Sequence, residues 1–159
     1  MTSRELLQML VGDWRGVGAG RYPTITPFKY VDALRFTLDE ARPLLHYEQR
    51  TRRLDPGQAG LTPSHWETGF LELKPDNKVE IANAQSGGRV EVLTGTLEPT
   101  EDGLILRLES SHFGNDPRMR ESTRTMKLEG DILHYDMYML TTGVDQLALH
   151  LEATLNRQT

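Results

Sequence analysis

The residues of this chain that could hold a metal or a cofactor iron are its five histidines, His46, His65, His112, His134 and His150. Neutral imidazole is the usual protein donor to haem iron and to many other metals. The spacing among the five suggests no multi-histidine cluster, so a zinc site is not expected. There is no cysteine. This excludes disulfides, thiolate metal sites and haem attached through thioethers. Histidine type and spacing do not by themselves select one of the five as a ligand.

The second unusual feature is Gly12-Asp13-Trp14-Arg15-Gly16-Val17-Gly18-Ala19-Gly20-Arg21-Tyr22. From Gly16 to Gly20 every second residue is glycine, and alternate residues of a strand share one face. One face here is bare backbone apart from Trp14 and Tyr22. Glycine inside a strand marks a bend, a bulge or the close approach of another body. That body is either a neighbouring strand at a barrel corner or a flat ligand laid on the strand. No helical pattern follows the glycines, so this is not a dinucleotide fingerprint. Trp14 and Tyr22 suit packing or barrel closure better than ligation.

The elements that must position these residues are almost all strands. The exception is the start, where Leu6, Leu7 and Leu10 recur at helical spacing, Thr2 or Ser3 can cap, and Glu5 suits a capping box. Ten strands are expected at 13–21, 28–38, 44–53, 64–74, 78–85, 88–97, 103–112, 119–129, 132–140 and 145–156. Between them lie turn residues such as Pro75-Asp76-Asn77, Ser86-Gly87-Gly88 and Glu129-Gly130-Asp131. Period-2 alternation supports strands, as in Leu133, Tyr135, Met137 and Met139 against His134, Asp136 and Tyr138. Short turns without intervening helices imply an antiparallel meander. Closure into an up-and-down barrel removes its two open edges, and ten strands enclose a lumen wide enough for a ligand. Residues 1–159 read as a single domain of this all-β type.

Charge and hydropathy narrow the function. The net charge is −5, with no basic tract and no aromatic-studded basic stripe, so nucleic acid is not an expected partner. Arg50, Arg52 and Arg53 cluster between Glu48 and Asp55 and read as a solvated strand face. The first ten residues are interrupted by Glu5 and Gln8, unlike a secretory signal, and no apolar run approaches the roughly 20 residues of a membrane span. A cytoplasmic protein without membrane attachment is expected.

The glycine segment followed by Tyr22-Pro23-Thr24-Ile25 resembles the signature of the nitrobindin family, haem-binding barrels shaped like fatty-acid-binding proteins and lipocalins, the calycin type. The resemblance runs nearly end to end. It continues through His65-Trp66-Glu67-Thr68-Gly69-Phe70, Leu128-Glu129-Gly130-Asp131 and His150-Leu151-Glu152-Ala153. It implies a ten-stranded barrel holding one ferric haem b per chain, with His150 as the axial iron ligand. It places Thr24 near a haem propionate and Lys127 against the haem. His65 falls on the opposite face of the haem, and Met139 and Tyr138 on the pocket wall. Ser64 stands where some relatives carry a methionine. The implied activity is reversible NO binding and isomerisation of peroxynitrite to nitrate. Two other readings suit the same barrel: a carrier of haem or NO without turnover, and an apolar-ligand binder like the fatty-acid-binding proteins.

One feature of the last strand opposes the assignment of His150. By strict alternation Leu147, Leu149, Leu151, Ala153 and Leu155 share one face, and His150 lies on the other. Either a bulge near residues 148–150 shifts the register, or the leucines pack beneath the N-terminal helix or another outer layer. The Asp55 to Pro63 loop is long enough to gate the mouth of a pocket.

Overall fold

The computed structural model describes residues 1–23, 25–55, 57 and 59–159. One short helix, α1 (Ser3–Gln8), precedes ten strands: β1 (Gly12–Tyr22), β2 (Ile25–Leu38), β3 (Leu44–Leu54), β4 (Thr62–Leu73), β5 (Lys78–Gln85), β6 (Val90–Pro99), β7 (Gly103–Gly114), β8 (Met119–Glu129), β9 (Ile132–Thr141) and β10 (Ala148–Arg157). Each strand pairs antiparallel with its neighbours in sequence, and β1 pairs with β10 to close the barrel. The expected strands are all present. β2 begins earlier than expected, at Ile25, and runs through Pro27. The register breaks between Gly20 and Tyr22, so Thr26 and Pro27 sit in an irregular stretch, where proline's missing N–H is tolerated.

The helix forms where the capping box predicts it. Thr2 Oγ1 accepts from the Glu5 backbone N–H at 3.2 Å, and Glu5 returns by accepting from Thr2 N–H at 2.6 Å. Its Leu6 and Leu7, with Leu10 just beyond, are buried and plug one end of the barrel. Trp14 lies beneath this plug, fully buried. Its indole N–H donates to the Leu10 carbonyl at 2.8 Å, and the Arg157 guanidinium lies 4.3 Å above its ring.

The inward side chains change character along the barrel. On β4 the inward series is Leu73, Leu71, Gly69, Glu67 and His65; on β9 it is Leu133, Tyr135, Met137 and Met139; on β3 it is Leu45, Tyr47, Gln49, Thr51 and Arg53. The end under α1 is thus a packed leucine core, joined by Leu93, Leu97, Leu104, Leu106, Leu128 and Leu155. Toward the other end the side chains become polar or flexible and the packing opens. No helix among the described residues is long and apolar enough to cross a membrane.

The bare glycine face is covered by the barrel itself. A Cβ on Gly16 would run into the Thr154 carbonyl of β10, which closes against β1 at this point. A Cβ on Gly18 would meet the Tyr30 ring, and one on Gly20 the Phe28 ring. Of the two explanations for these glycines, the neighbouring strands account for the contacts seen. Their absence of side chains lets β10 approach and lets Tyr30 and Phe28 lie back against β1, beside the open lumen.

Candidate functional site

The open half of the barrel holds a cavity of about 670 Å³, within the roughly 300–1,000 Å³ usual for small-molecule and cofactor sites. Its walls include Phe28, Met137, Met139 and Leu151, apolar and suited to a flat macrocycle. Two histidines line it, His65 and His150. Among the other three, His46 bonds Thr68 and His134 bonds Thr154 on the outer surface, and His112 is exposed. Among the described residues no cluster of three or more acidic, histidine or cysteine side chains is arranged for a metal ion.

A bulge in β10 turns His150 inward. Leu149 pairs with Tyr138 and Leu151 with Met137, so two steps on β10 match one on β9 and His150 is the extra residue. Leu149 therefore belongs to the outward parity, Leu151, Ala153 and Leu155 to the inward one, Leu147 precedes the strand, and His150 is 2% exposed in the cavity wall. Alternation across the whole strand fails because a bulge resets the period at one residue. Its Nδ1 lies 2.8 Å from the Ala148 carbonyl oxygen. A carbonyl only accepts, so Nδ1 carries the proton. Nε2 has no hydrogen-bond partner among the described residues. Tyr22 meets the imidazole edge-on at 4.9 Å between ring centres and limits its rotation.

His65 comes from β4, four strands from β10 one way round the barrel and six the other. Its Nε2 is 3.2 Å from Glu67 Oε1. Glu67 is the centre of an ion-pair network that sequence reading did not single out. It accepts from Arg124 Nη1 at 2.7 Å and Nη2 at 3.3 Å, from Tyr47 Oη at 2.5 Å and from Asn83 Nδ2 at 3.3 Å. Arg124 also bonds Glu91 at 2.7 Å. Burial works against the Glu67 charge, but the Arg124 guanidinium and the hydrogen bonds from His65, Arg124 and Tyr47 override it and hold the carboxyl well below the usual range.

A second polar group lies alongside. Asp32 Oδ2 accepts from Tyr135 Oη at 2.5 Å and from Gln49 Nε2 at 2.8 Å, and Tyr135 meets Tyr30 Oη at 2.8 Å. Burial raises the Asp32 carboxyl to about 6, against the lowering effect of the Tyr135 and Gln49 hydrogen bonds. Asp32 Oδ1 has no partner among the described residues. Inward parity, read with the periods of β2, β3, β4, β5, β6, β8 and β9, was the signal available for both networks.

The mouth is cationic. Arg53, Arg89 and Arg118 line it. Arg53 stacks 4.0 Å above Phe28 and pairs with Asp55, and Arg89 pairs with Asp116 at 3.5 Å. The Arg53 pair runs from Nε to Asp55 Oδ1 at 3.3 Å, and the Nε–H of Arg89 is buried without a hydrogen-bond partner among the described residues. The expectation of a solvated arginine face thus holds for Arg50 and Arg52, which are exposed, but not for Arg53, which faces inward with Thr51 and Gln49. Lys127 does not reach the cavity. It is on the outward parity of β8, half exposed, and pairs with Glu129 at 2.7 Å. Tyr138 likewise faces outward, whereas Met139 is buried in the cavity wall. Thr24 lies outside the described residues, as do Pro56 and Gln58 of the loop expected to gate the mouth. The motif residues Gly12, Trp14, Gly16 and Gly18 shape the wall and base without lining the cavity.

A closed antiparallel barrel with one plugged end, one open chamber and an inward imidazole in the chamber wall belongs to the class of small-ligand barrels. The donor set suits haem: one free imidazole nitrogen, apolar walls and cations at the mouth for carboxylates. The chain belongs to the THAP4-like, heme-binding beta-barrel domain family, whose match spans residues 4–157. It is 37% identical over 151 residues, 95% of this chain and 86% of the relative, to a protein of Arabidopsis thaliana named peroxynitrite isomerase Rv2717c. A peroxynitrite isomerase of Nocardia farcinica is 36% identical over 154 residues, covering 95% and 88%. The crystal structure of Rv2717c from M. tuberculosis superposes with a TM-score of 0.89 at 34% identity, covering 100% of this chain and 99% of that one. An S-type phycobiliprotein lyase of Guillardia theta shares the fold at a TM-score of 0.65 and 13% identity.

Proposed function

We propose that residues 1–159 form one domain that binds a single ferric haem b through His150 Nε2, binds NO reversibly, and isomerises peroxynitrite to nitrate in the cytoplasm. The observation that carries this reading is the His150 bulge, which presents a ring nitrogen with no hydrogen-bond partner among the described residues to a cavity of cofactor size. The names of the relatives support the reaction. When bound, ferric haem supplies the iron at which peroxynitrite rearranges.

The chain's own residues do the rest. The Ala148 carbonyl holds the imidazole in the donor tautomer, the usual outer partner of a metal-bound histidine. Met137, Met139 and Phe28 would give a bound cofactor an apolar wall that limits its contact with water. The Arg53 and Arg89 side chains, which line the mouth, would supply positive charge to carboxylates there.

Haemin titration of the purified protein beside His150→Ala tests the reading. A saturable one-to-one Soret band, lost or clearly altered in the variant, is expected, followed by peroxynitrite decay faster than with equal free haemin. Absence of specific uptake by the unmodified protein would overturn it.

A further inference from the structure

Two histidines face one cavity from nearly opposite walls, and ferric haem readily takes imidazole on both sides. What separates them is the hydrogen bond made by each ring. His150 is bonded through Nδ1 to a carbonyl, which leaves Nε2 free. His65 is bonded through Nε2 to the Glu67 carboxylate, which can only accept, so its Nε2 carries the proton. The two rings are thus held by different nitrogens, His150 through Nδ1 and His65 through Nε2. The nitrogen left without this bond on His65 is Nδ1, beside the ring carbon that bears the side chain and the harder nitrogen to bring to a metal.

The tether is also stiff. Glu67 is 1% exposed and fixed from three further elements, by Arg124 of β8, Tyr47 of β3 and Asn83 of β5. For His65 to offer Nε2 to the iron, it must shed its proton and abandon a buried carboxylate that then loses a partner.

We propose that Glu67 is a positioning residue that keeps His65 off the iron, so that the second axial position stays available to a small ligand. This rests on the haem reading above. The whole network, Arg124 and Glu91 included, then serves the cavity by immobilising one carboxylate.

The test compares ferric spectra of the haemin-loaded protein, Glu67→Leu, and Glu67→Leu with His65→Ala, by absorption and electron paramagnetic resonance. The unmodified protein is expected to be high-spin. Glu67→Leu should convert severalfold more of the iron to a low-spin bis-histidine form, and the double variant should return it to high-spin. A low-spin unmodified protein, or Glu67→Leu with an unchanged spectrum, overturns the proposal. Should the variants fail to fold, nitrogen-15 spectra of the haem-free unmodified protein decide. They should show Nε2–H for His65 and Nδ1–H for His150, and Nδ1–H at His65 overturns the tether. Failure to take up haemin at all would instead mark failure of the haem reading.

Discussion

Leu149 and Leu151 stand two residues apart on β10, yet their partners Tyr138 and Met137 are adjacent on β9. That mismatch is the bulge, and it makes His150 an inward residue in a strand whose alternation would turn it outward. The ring then occupies a slot bounded by Ala148 and Tyr22. His150→Gly should leave this slot empty with the barrel intact. It should lose haem affinity by tenfold or more, and added imidazole should restore the Soret band. Failure of imidazole to restore binding in a folded variant would mean that the slot does not present the axial donor.

The mouth arginines, rather than Lys127, should set affinity for the cofactor's carboxylates. A charge-assisted hydrogen bond contributes about 1.5–3 kcal/mol, roughly tenfold or more in affinity. Arg89→Ala is therefore expected to weaken haemin binding about tenfold, and Arg53→Ala similarly. Lys127→Ala should leave it unchanged, since that side chain is paired on the outer surface. Competition titrations against apomyoglobin would rank the three.

Arg124 holds two buried carboxylates, Glu67 and Glu91. Removing one member of a buried ion pair costs about 3–5 kcal/mol, because the charge left behind is uncompensated. Arg124→Met should lower the urea midpoint accordingly. Glu67 has a depressed carboxyl in the folded state, so its contribution is present above the unfolded carboxylate range and is lost as pH falls through the folded value. The stability deficit of Arg124→Met should therefore narrow in acid. A deficit that does not change with pH would show that the guanidinium is not what sustains the Glu67 charge.

Asp32 acts in the opposite direction. Its folded carboxyl is raised to about 6, so between the unfolded value and pH 6 the folded protein binds more protons than the unfolded chain. Stability contributed by this group falls as pH rises through that window. A shift of this size corresponds to about 2–3 kcal/mol at pH 8. Asp32→Asn keeps an acceptor for Tyr135 and should gain stability at pH 8 while changing little at pH 4. Urea unfolding at the two pH values measures the difference, and equal effects at both would exclude Asp32 as the source.

Gly16 and Gly87 separate close approach from simple flexibility. A Cβ at Gly16 meets the Thr154 carbonyl, whereas one at Gly87 meets nothing within 4 Å. Gly16→Ala should cost at least the 1–3 kcal/mol typical of overpacking, roughly, because backbone rather than a side chain must move. Gly87→Ala should be neutral or slightly stabilising. Thermal or urea unfolding of the pair distinguishes them.

Much of the barrel was legible from local pattern. The capping box at Thr2 and Glu5, the turns at Asn77, Gly88 and Gly130, and the alternating strands each depend on a few neighbouring residues, and ten strands without helical crossovers leave closure as the natural remedy for open edges. The leucine series at one end and the polar series at the other are also written in the inward parity of each strand. The sequence by itself determined how many strands form, where they turn and which family the chain resembles. Only the tertiary structure decided which way His150 faces, since a bulge depends on how β9 pairs with β10. It alone brought Glu67, Glu91 and Arg124 together from β4, β6 and β8, residues up to 57 positions apart in the chain. It also turned Arg53 inward and left Lys127 outside. The physical reason is that strand alternation is a local property, whereas a charge inside a barrel is settled by its partner across the lumen, and that partner is chosen by closure.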